Sequence, residues 1–353
     1  MLFFSCSSTK QMINHNPELK TIQGLRDIHP LLKNWTGTPY NEDGRFVNID
    51  FRDKNDPTMV LKWQLSKNPQ KEEKLNDKWV PQVDRSKLFL SDKSDGITWL
   101  GHATFLVNIN GKRLITDPVF GNVTFVKRLQ KFQFNPSELK NIDYILLSHD
   151  HADHFNKESL ELLIKNNPGI TILAGLRTEE LLRDWFEDLP NWNIQTAGWY
   201  QQFKLTNNVL EIYFLPARHW SRRGVNDENY RLWGSFIIKN NEKTIYYAGD
   251  SGIGNHFEIT GKLFPNIDVA MIGIGAYSPK WFMQKNHTSP DETVEMFNKM
   301  KAKSLFPMHF GAFDLADEPQ GEPYRLIKKL ESEGKINGKL IEPTIGKKHA
   351  IYF

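Results

Sequence analysis

One stretch decides the fold of this chain: Tyr144-Ile145-Leu146-Leu147-Ser148-His149-Asp150-His151-Ala152-Asp153-His154. Its first half is apolar and predicts a buried strand. The residues that follow therefore lie at the carboxyl end of a strand, where α/β sheets usually hold their ligands. Alternate residues of an extended segment point the same way, so we expect His149 and His151 to share one metal ion. Asp153 and His154 are expected to reach a second ion. A surface histidine cluster is the alternative, but the density of the run after an apolar strand favours the metal site.

Three further predicted strands each lead to one candidate ligand. These are His219 after residues 211–215, Asp250 after 243–248, and His309 after 303–307. Taken singly, His219 or His309 would more often be a hydrogen-bonded structural histidine. Together, the four strand ends predict two metal sites that share Asp250. The expected ligands are His149, His151, His219 and Asp250 for one ion, and Asp153, His154, Asp250 and His309 for the other.

The composition narrows the chemistry. The 353 residues include 45 Lys and Arg against 42 Asp and Glu, a formal net charge of +3, which excludes a protein that binds nucleic acid mainly through bulk positive charge. A single cysteine excludes intrachain disulfides and cysteine-based zinc sites, so a metal site must use histidine and carboxylate ligands. The sequence has no apolar run of 18 residues, so no transmembrane helix is predicted.

The pattern of the chain changes near Gly96. Beyond it, short apolar runs alternate with amphipathic helical stretches, which is typical of an α/β domain. Asn110-Gly111 between two runs predicts a two-residue hairpin turn. Helices are predicted after residues 156, 178, 289 and 323, the third beginning with a capping box of Ser289 and Glu292. Residues 1–95 are rich in Lys, Asn, Asp and Pro with scattered aromatics, and we expect an irregular extension that packs through those aromatics.

The first residues carry a second, separate signal. Leu2-Phe3-Phe4-Ser5-Cys6 resembles the end of a bacterial lipoprotein signal, in which Cys6 is lipidated. Only five residues precede this cysteine, whereas a working signal has an apolar stretch of roughly 7–15 residues. Two localisations stay open: a cell-envelope lipoprotein with a truncated signal, or a cytoplasmic protein.

The histidine and aspartate pattern resembles the signature of the metallo-β-lactamase superfamily. The resemblance covers residues 96–353 as one domain and implies an αββα sandwich, with the metals at the edge where the two sheets meet. More narrowly, the chain resembles the branch of N-acyl-phosphatidylethanolamine-hydrolysing phospholipase D. The matching stretches are residues 101–104, 116–118, 216–221, 232–235, 248–252, 274–277 and 308–311, with 44–48 in the extension.

The resemblance implies a binuclear zinc hydrolase that cleaves the headgroup phosphodiester of N-acyl-phosphatidylethanolamine-like phospholipids. From the residues alone, imidazole and carboxylate ligands suit zinc, and iron or manganese fits the same set. The nearest alternative is a lactonase of the same fold. A nuclease on these ligands would need a basic groove, and a metal-binding scaffold without catalysis is a third alternative. The expected partners are a phospholipid or other small phosphodiester, a membrane surface and a second copy in a homodimer, with no nucleic acid.

Further candidates surround the expected ligands. Asp117 and His102 could accept the far ring N–H of a ligand histidine, or serve as turn and core residues. The resemblance implies that His287, just before a predicted helix, contacts the substrate, and we expect Asp153 and His287 to act in catalysis. An exposed loop position is the alternative for His287.

Two groups of residues are candidates for substrate binding. Arg222 and Arg223 could clamp an anionic headgroup or be surface charges. Tyr277, Trp281 and Phe282 could line a groove for an acyl chain or pack in the core.

Overall fold

Two mixed β-sheets and their flanking helices form the structure. The computed structural model describes residues 11–14, 20–21, 35, 37–48, 57–124, 126–186, 193–205 and 209–351, so Cys6 lies outside the described residues. The strands of these ranges are β1 (Gln11–Asn14), β2 (Lys20–Thr21), β3 (Gly37–Tyr40), β4 (Gly96–Gly101), β5 (Thr104–Ile109), β6 (Lys112–Thr116), β7 (Tyr144–Leu147), β8 (Thr171–Gly175), β9 (Asn193–Ala197), β10 (Gln201–Gln202), β11 (Glu211–Leu215), β12 (Ser235–Lys239), β13 (Thr244–Tyr247), β14 (Val269–Gly273), β15 (Ser304–Met308), β16 (Lys339–Leu340) and β17 (Lys348–His349).

The α-helices lie mainly between the parallel strands. They are α1 (Pro57–Leu65), α2 (Lys71–Asn76), α3 (Leu88–Ser91), α4 (Lys157–Asn166), α5 (Thr178–Trp185), α6 (His256–Leu263), α7 (Lys280–Met283), α8 (Pro290–Met300) and α9 (Glu322–Ser332). None of the helices in the described ranges has the length and apolar character needed to cross a membrane.

Each large sheet is half antiparallel and half parallel. The first has the order β17-β4-β5-β6-β7-β8-β9 and runs parallel from β6 to β9. The second has the order β16-β15-β14-β13-β12-β11-β10-β2 and runs parallel from β13 to β16. Parallel neighbours need crossover connections, and α4, α5, α6, α8 and α9 provide them. The carboxyl ends of the parallel strands β7, β13 and β15 lead to predicted ligands, and so does that of the antiparallel strand β11, which precedes His219.

The local sequence signals explain several element boundaries. Asn110 and Gly111 have φ values of 50° and 72° between the antiparallel strands β5 and β6, which confirms the predicted hairpin turn. The Asn156 side chain caps α4 by accepting from the Ser159 backbone N–H. Ser289 and Glu292 form the predicted capping box at the start of α8.

The core lies between the two sheets. Phe105 of β5 is fully buried and reaches the opposite sheet, with its ring centroid 5.1 Å from Phe306 of β15 and 6.5 Å from Tyr247 of β13. Edge-to-face contacts of this kind add to the hydrophobic gain of burial. Because β13 and β15 also lead to Asp250 and His309, this packing fixes the distance between the two halves of the predicted site.

The extension is more regular than we expect from its sequence. It contains α1, α2 and α3, so the prediction of an irregular segment is wrong for residues 57–65, 71–76 and 88–91. None of the α2 residues is buried, so the helix leaves no hydrophobic period in the sequence. The expected aromatic packing is present in these residues: the Trp79 ring stacks on Phe310 at 5.7 Å and on Tyr324 at 5.2 Å.

We predict that Phe105→Ala lowers the free energy of unfolding by about 3–5 kcal/mol, because it leaves a cavity between the sheets. Chemical denaturation of the metal-free protein measures this change. Leu88→Ala, at a leucine that is 65% exposed, should change it by less than about 0.5 kcal/mol. Equal losses in the two variants would contradict the inter-sheet role of Phe105.

Candidate metal centre

Four strand ends deliver the predicted ligands to one place. The run of residues 149–154 follows β7, and His219, Asp250 and His309 follow β11, β13 and β15. Among the described residues, the structure groups these side chains into sets whose ligand atoms lie within 4.8 Å of one another. The first sheet supplies the ligands before residue 155 and the second supplies the other three, so the cluster lies where the two sheets meet.

The first set contains three histidines. Nε2 of His149 lies 2.9 Å from Nδ1 of His151, and Nε2 of His219 lies 3.1 Å from the same Nδ1 atom. Burial holds the pKa of His149 and His219 well below the usual histidine value, so both rings are neutral near pH 7. Converging imidazole nitrogens with free lone pairs are the donor set that a divalent transition metal prefers, so these residues fit an ion.

The second set mixes a carboxylate with two histidines. Oδ2 of Asp153 lies 3.5 Å from Nε2 of His154 and 3.5 Å from Nε2 of His309. The two Nε2 atoms are 3.2 Å apart. One oxygen and two imidazole nitrogens around one point also fit a divalent ion.

Asp250 connects the two sets. Its Oδ2 lies 3.9 Å from Nε2 of His149 and 3.8 Å from Nε2 of His219, on the side of the first set. On the other side, Oδ2 lies 3.2 Å from Nε2 of His154, and Oδ1 lies 3.1 Å from Nε2 of His309. A single carboxylate is thus within reach of ions in both sets, which is the arrangement of a two-metal site.

Asp250 and the side chains of the second set shift one another's pKa values in the metal-free protein. Burial favours the neutral acid of Asp250, but His154 and His309 outweigh it and hold the pKa of Asp250 well below its usual range. Burial likewise opposes the charge of His309, yet Asp250 and Asp153 raise its pKa to about 9. The same carboxylates raise the pKa of His154 well above the usual value. A cation is therefore favoured at this position, and in the metal-free protein protons supply it.

A cavity reaches each half of the centre. The first has a volume of about 440 Å³ and includes His102 and His309 in its wall. The rest of this wall contains lysines of residues 71–78 and apolar side chains of residues 310–316. The second, of about 840 Å³, reaches His219 and is lined largely by polar side chains of residues 41–48, 225–229 and 285–286. The two cavities are named here the lysine-rich cavity and the polar cavity.

Comparison with known proteins decides the family. Residues 112–310 match the model of the β-lactamase superfamily domain. The chain belongs to the metallo-β-lactamase superfamily. The match confirms the predicted αββα fold class, and the chain is a metal-dependent hydrolase of that superfamily.

Relatives with described names lie within the predicted branch. N-acyl-phosphatidylethanolamine-hydrolyzing phospholipase D 1 of Caenorhabditis elegans is 30% identical over 77% of this chain and 80% of that protein. The mitochondrial N-acyl-phosphatidylethanolamine-hydrolyzing phospholipase D of Saccharomyces cerevisiae is 29% identical over 71% of this chain and 54% of its own length. These matches confirm the resemblance to that branch.

Solved structures share the fold at lower identity. The metallo hydrolase Igni18 of Ignicoccus hospitalis superposes with a TM-score of 0.54 at 21% identity, over 73% of this chain and 98% of that one. The isothiocyanate hydrolase from Delia radicum gut bacteria gives a TM-score of 0.56 at 15% identity, over 72% and 98%. At these identities the superfamily fold is shared, and the different names indicate that substrates vary on it.

Asp117 and His102, the two residues predicted to support the ligand histidines, make different contacts. Oδ2 of Asp117 accepts from Nδ1 of His154 at 2.7 Å, the contact expected of it. His102 instead approaches a carboxylate, with its Nε2 atom 2.9 Å from Oδ2 of Asp153. The expectation that His102 accepts from a ligand histidine is therefore wrong for this geometry. The structure also groups His102 with Asp153, His154 and His309, so His102 can orient Asp153 or contribute a further ligand beside these three and Asp250.

His287 lies beside the centre. Its Nδ1 atom is 3.7 Å from Oδ2 of Asp250, and its ring centroid is 5.2 Å from those of His219 and His309. Burial lowers the pKa of His287 to about 4, so the ring is neutral near pH 7. The exposed-loop alternative is therefore wrong, because the side chain retains only 17% exposure.

The two predicted headgroup arginines contact backbone carbonyls. Arg222 donates to the carbonyls of Gly224 and Val225, and Arg223 donates to the Phe155 carbonyl at 2.8 Å. Both guanidinium groups thus brace the loops around the centre, and a headgroup clamp by them stays a prediction. The sequence signal was ambiguous because loop-bracing and anion-binding arginines look alike.

The three residues predicted to line an acyl groove lie in different surroundings. The Tyr277 hydroxyl donates to Glu322 at 2.6 Å, and Phe282 stacks on Trp63 of α1 at 5.3 Å. Trp281 is 42% exposed. None of the three lines the lysine-rich or the polar cavity, and their role in holding an acyl chain stays a prediction.

We predict that zinc binding to the metal-free protein at pH 7.5 releases at least one proton, because His309, with a pKa of about 9, must lose its proton to offer its Nε2 lone pair. Ion affinity should rise with pH until about pH 9. Calorimetric titration in buffers of different ionisation enthalpy measures the proton count. The same count near pH 7.5 and about pH 10 would contradict a protonated His309.

Proposed function

We propose that this protein is a phospholipase D-type phosphodiesterase that uses two zinc ions to hydrolyse N-acyl-phosphatidylethanolamine-like phospholipids. The observation that carries the proposal is the pair of unlike cavities, one opening onto each half of a two-metal centre. A phosphodiester has two arms on one phosphate, and such a substrate can bind with its phosphate at the centre and one arm in each cavity. The names of the worm and yeast relatives support the same substrate class.

The lysine-rich cavity suits the lipid arm. Leu75, Val80 and Phe313 give it an apolar wall, and Lys71 and Lys78 stand at the same wall. Apolar side chains can cover acyl chains, while ammonium groups attract the phosphates of neighbouring lipids. In this orientation the diacylglycerol part of a phospholipid approaches from the side of α2.

The polar cavity suits the headgroup arm. Asn41, Asn48 and Asn226 contribute amide groups, and Arg218 lies in the same wall. Amide side chains both donate and accept hydrogen bonds, so they match the amide and hydroxyl groups of an N-acylethanolamine. Trp220 and Trp233 add apolar area for its chain.

The residues of the centre have separate roles in this proposal. His149, His151 and His219 would hold one ion, Asp153, His154 and His309 the other, and Asp250 both. Ions held there supply Lewis acidity and an activated water at neutral pH. His287 is neutral and beside Asp250, so its ring can donate one hydrogen bond to a phosphate oxygen without adding charge.

Exposed apolar side chains lie on α1, whose Trp63 packs against a cluster that includes Ala276 and Ala316 of the lysine-rich cavity. Leu61 and Leu65 of α1 are 57% and 79% exposed, and Trp281 is exposed beside Lys62, whose Nζ lies 5.1 Å from its ring centroid. Leucine and tryptophan flanked by lysine are typical of segments that insert into an anionic membrane interface. We include docking on an anionic lipid surface in the proposal, because it would deliver substrate to the cavity beside it.

We predict that Asp250→Ala abolishes hydrolysis of bis(p-nitrophenyl) phosphate and of N-acyl-phosphatidylethanolamine in mixed micelles. Outer contacts to metal ligands typically cost about 10–100-fold, and loss of a shared ligand should exceed that. Turnover followed by absorbance and mass spectrometry measures it, with the exposed Asp184→Ala as the matched control. Wild-type protein that opens lactones but leaves both phosphodiesters intact would sink the proposal in favour of the lactonase.

We predict that the double variant Leu61→Glu/Leu65→Glu reduces binding to phosphatidylglycerol vesicles about tenfold or more. Each leucine side chain that becomes buried in the membrane should contribute roughly 1.5–3 kcal/mol to the free energy of binding. Turnover of soluble bis(p-nitrophenyl) phosphate should stay unchanged. Vesicle co-sedimentation measures binding, and Leu88→Glu is the control at an exposed leucine of α3. Undiminished vesicle binding by the double variant would contradict this docking surface.

A further inference from the structure

Asp117 is a fully buried carboxylate that receives four hydrogen bonds. Its Oδ1 accepts from the Ser148 backbone N–H at 2.8 Å. Its Oδ2 lies 2.5 Å from the Ser148 hydroxyl, 2.5 Å from the Tyr247 hydroxyl and 2.7 Å from Nδ1 of His154. Only the contact with His154 reaches a candidate metal ligand directly, so the serine and the tyrosine need a separate explanation.

The Ser148 hydroxyl links the same carboxylate to a second histidine. Its oxygen lies 2.8 Å from Nδ1 of His149. A hydroxyl has one proton, and the carboxylate of Asp117 is the stronger acceptor, so Ser148 donates to Asp117 and accepts from the Nδ1–H of His149. This assignment leaves the Nε2 lone pair of His149 free, on the side that faces His151 and Asp250.

His149 and His154 belong to the two different ligand sets described above, and both also lie close to Asp117 in a third group. His149 is grouped with His151 and His219, and His154 with Asp153 and His309. A single carboxylate therefore fixes the ring orientation and the tautomer of one histidine in each set, directly for His154 and through Ser148 for His149. Such outer contacts raise the basicity of a ligand histidine and hold its ring in place.

Tyr247 anchors this carboxylate from the opposite sheet. It ends β13, whereas Asp117 and Ser148 follow β6 and β7 of the first sheet. Its hydroxyl is also 3.1 Å from the Ala103 carbonyl. Burial and the neighbouring Asp117 hold the pKa of Tyr247 well above the usual value, so the phenol remains a proton donor. The position of Asp117 thus depends on both sheets.

We propose that Ser148 and Tyr247 are positioning residues of the metal centre, which act through Asp117 on one histidine of each ion site. Ser148 contacts His149 directly and also donates to the carboxylate, whereas Tyr247 reaches both sites only through the carboxylate. The inference rests on the metal centre of the proposed function and not on its phospholipid substrate. Ion binding therefore tests it independently of hydrolysis.

The experiment measures stepwise Zn²⁺ binding to the metal-free protein by competition with a chromophoric chelator. Ser148→Ala should weaken binding of one of the two ions about 10–100-fold and binding of the other by no more than a few fold. The contact with His149 is lost, whereas Asp117 keeps its contacts with His154, Tyr247 and the backbone N–H of residue 148. Tyr247→Phe should weaken the binding of both ions by a smaller factor. Ser148→Thr, which keeps the hydroxyl, should bind the ion that Ser148→Ala loses with an affinity close to that of the wild type.

Controls separate this role from general stability. Ser235→Ala and Tyr246→Phe alter buried residues of the same two types outside the network, and both should bind two ions like the wild type. The thermal midpoint of each metal-free variant reports on folding, and selective loss of one ion at an unchanged midpoint supports positioning.

Three outcomes overturn the inference: wild-type affinity for both ions in Ser148→Ala, equal loss of both ions in that variant, or no rescue by Ser148→Thr. Wild-type protein that binds fewer than two ions overturns the metal centre together with this inference. Selective ion loss in a protein that leaves phospholipids intact supports the inference and contradicts only the proposed substrate.

Discussion

The position of the Asp250 carboxylate is the constraint on which the site depends. Its two oxygens lie within 4 Å of ring nitrogens in both sets of ligands. Such proximity requires the ends of strands from two separate sheets to meet with an accuracy of a fraction of an ångström. The packing of Phe105 against Tyr247 and Phe306 joins the two sheets beneath the site.

The loops between strands and ligands need support of their own. Asp150, inside the histidine run, is buried and faces away from the ligand sets: its Oδ2 accepts from Nε of Arg231 at 2.6 Å and its Oδ1 from the Arg222 backbone N–H at 2.7 Å. A buried ion pair of this kind is weak evidence for stability, but it fixes one loop against another. The loop of residues 222–231 and the histidine run are therefore held as one unit.

Much of the fold and of the ligand sets could be predicted from the sequence, because both leave local signals. Apolar runs of four or five residues mark β7, β11 and β15, and a polar residue of the right type follows each. The supporting residues leave no such signal. Ser148 and Tyr247 look like ordinary strand residues, and only the pairing of strands far apart in the sequence brings them to Asp117. Helix α2 was missed because it buries nothing that could give a period, and the arginine contacts because loop geometry is not encoded in spacing.

Parts of the walls of the two cavities come from a different region of the sequence than the predicted metal ligands. Residues 41–48 and 71–80 contribute to those walls, ahead of residues 112–310 that match the superfamily model, whereas the predicted metal ligands lie between residues 149 and 309. Part of each wall thus comes from the extension, which contains none of the predicted ligands. If the cavities hold the two arms of the proposed substrate, substitutions in the extension would change which molecule is accepted while the metal ligands stay the same.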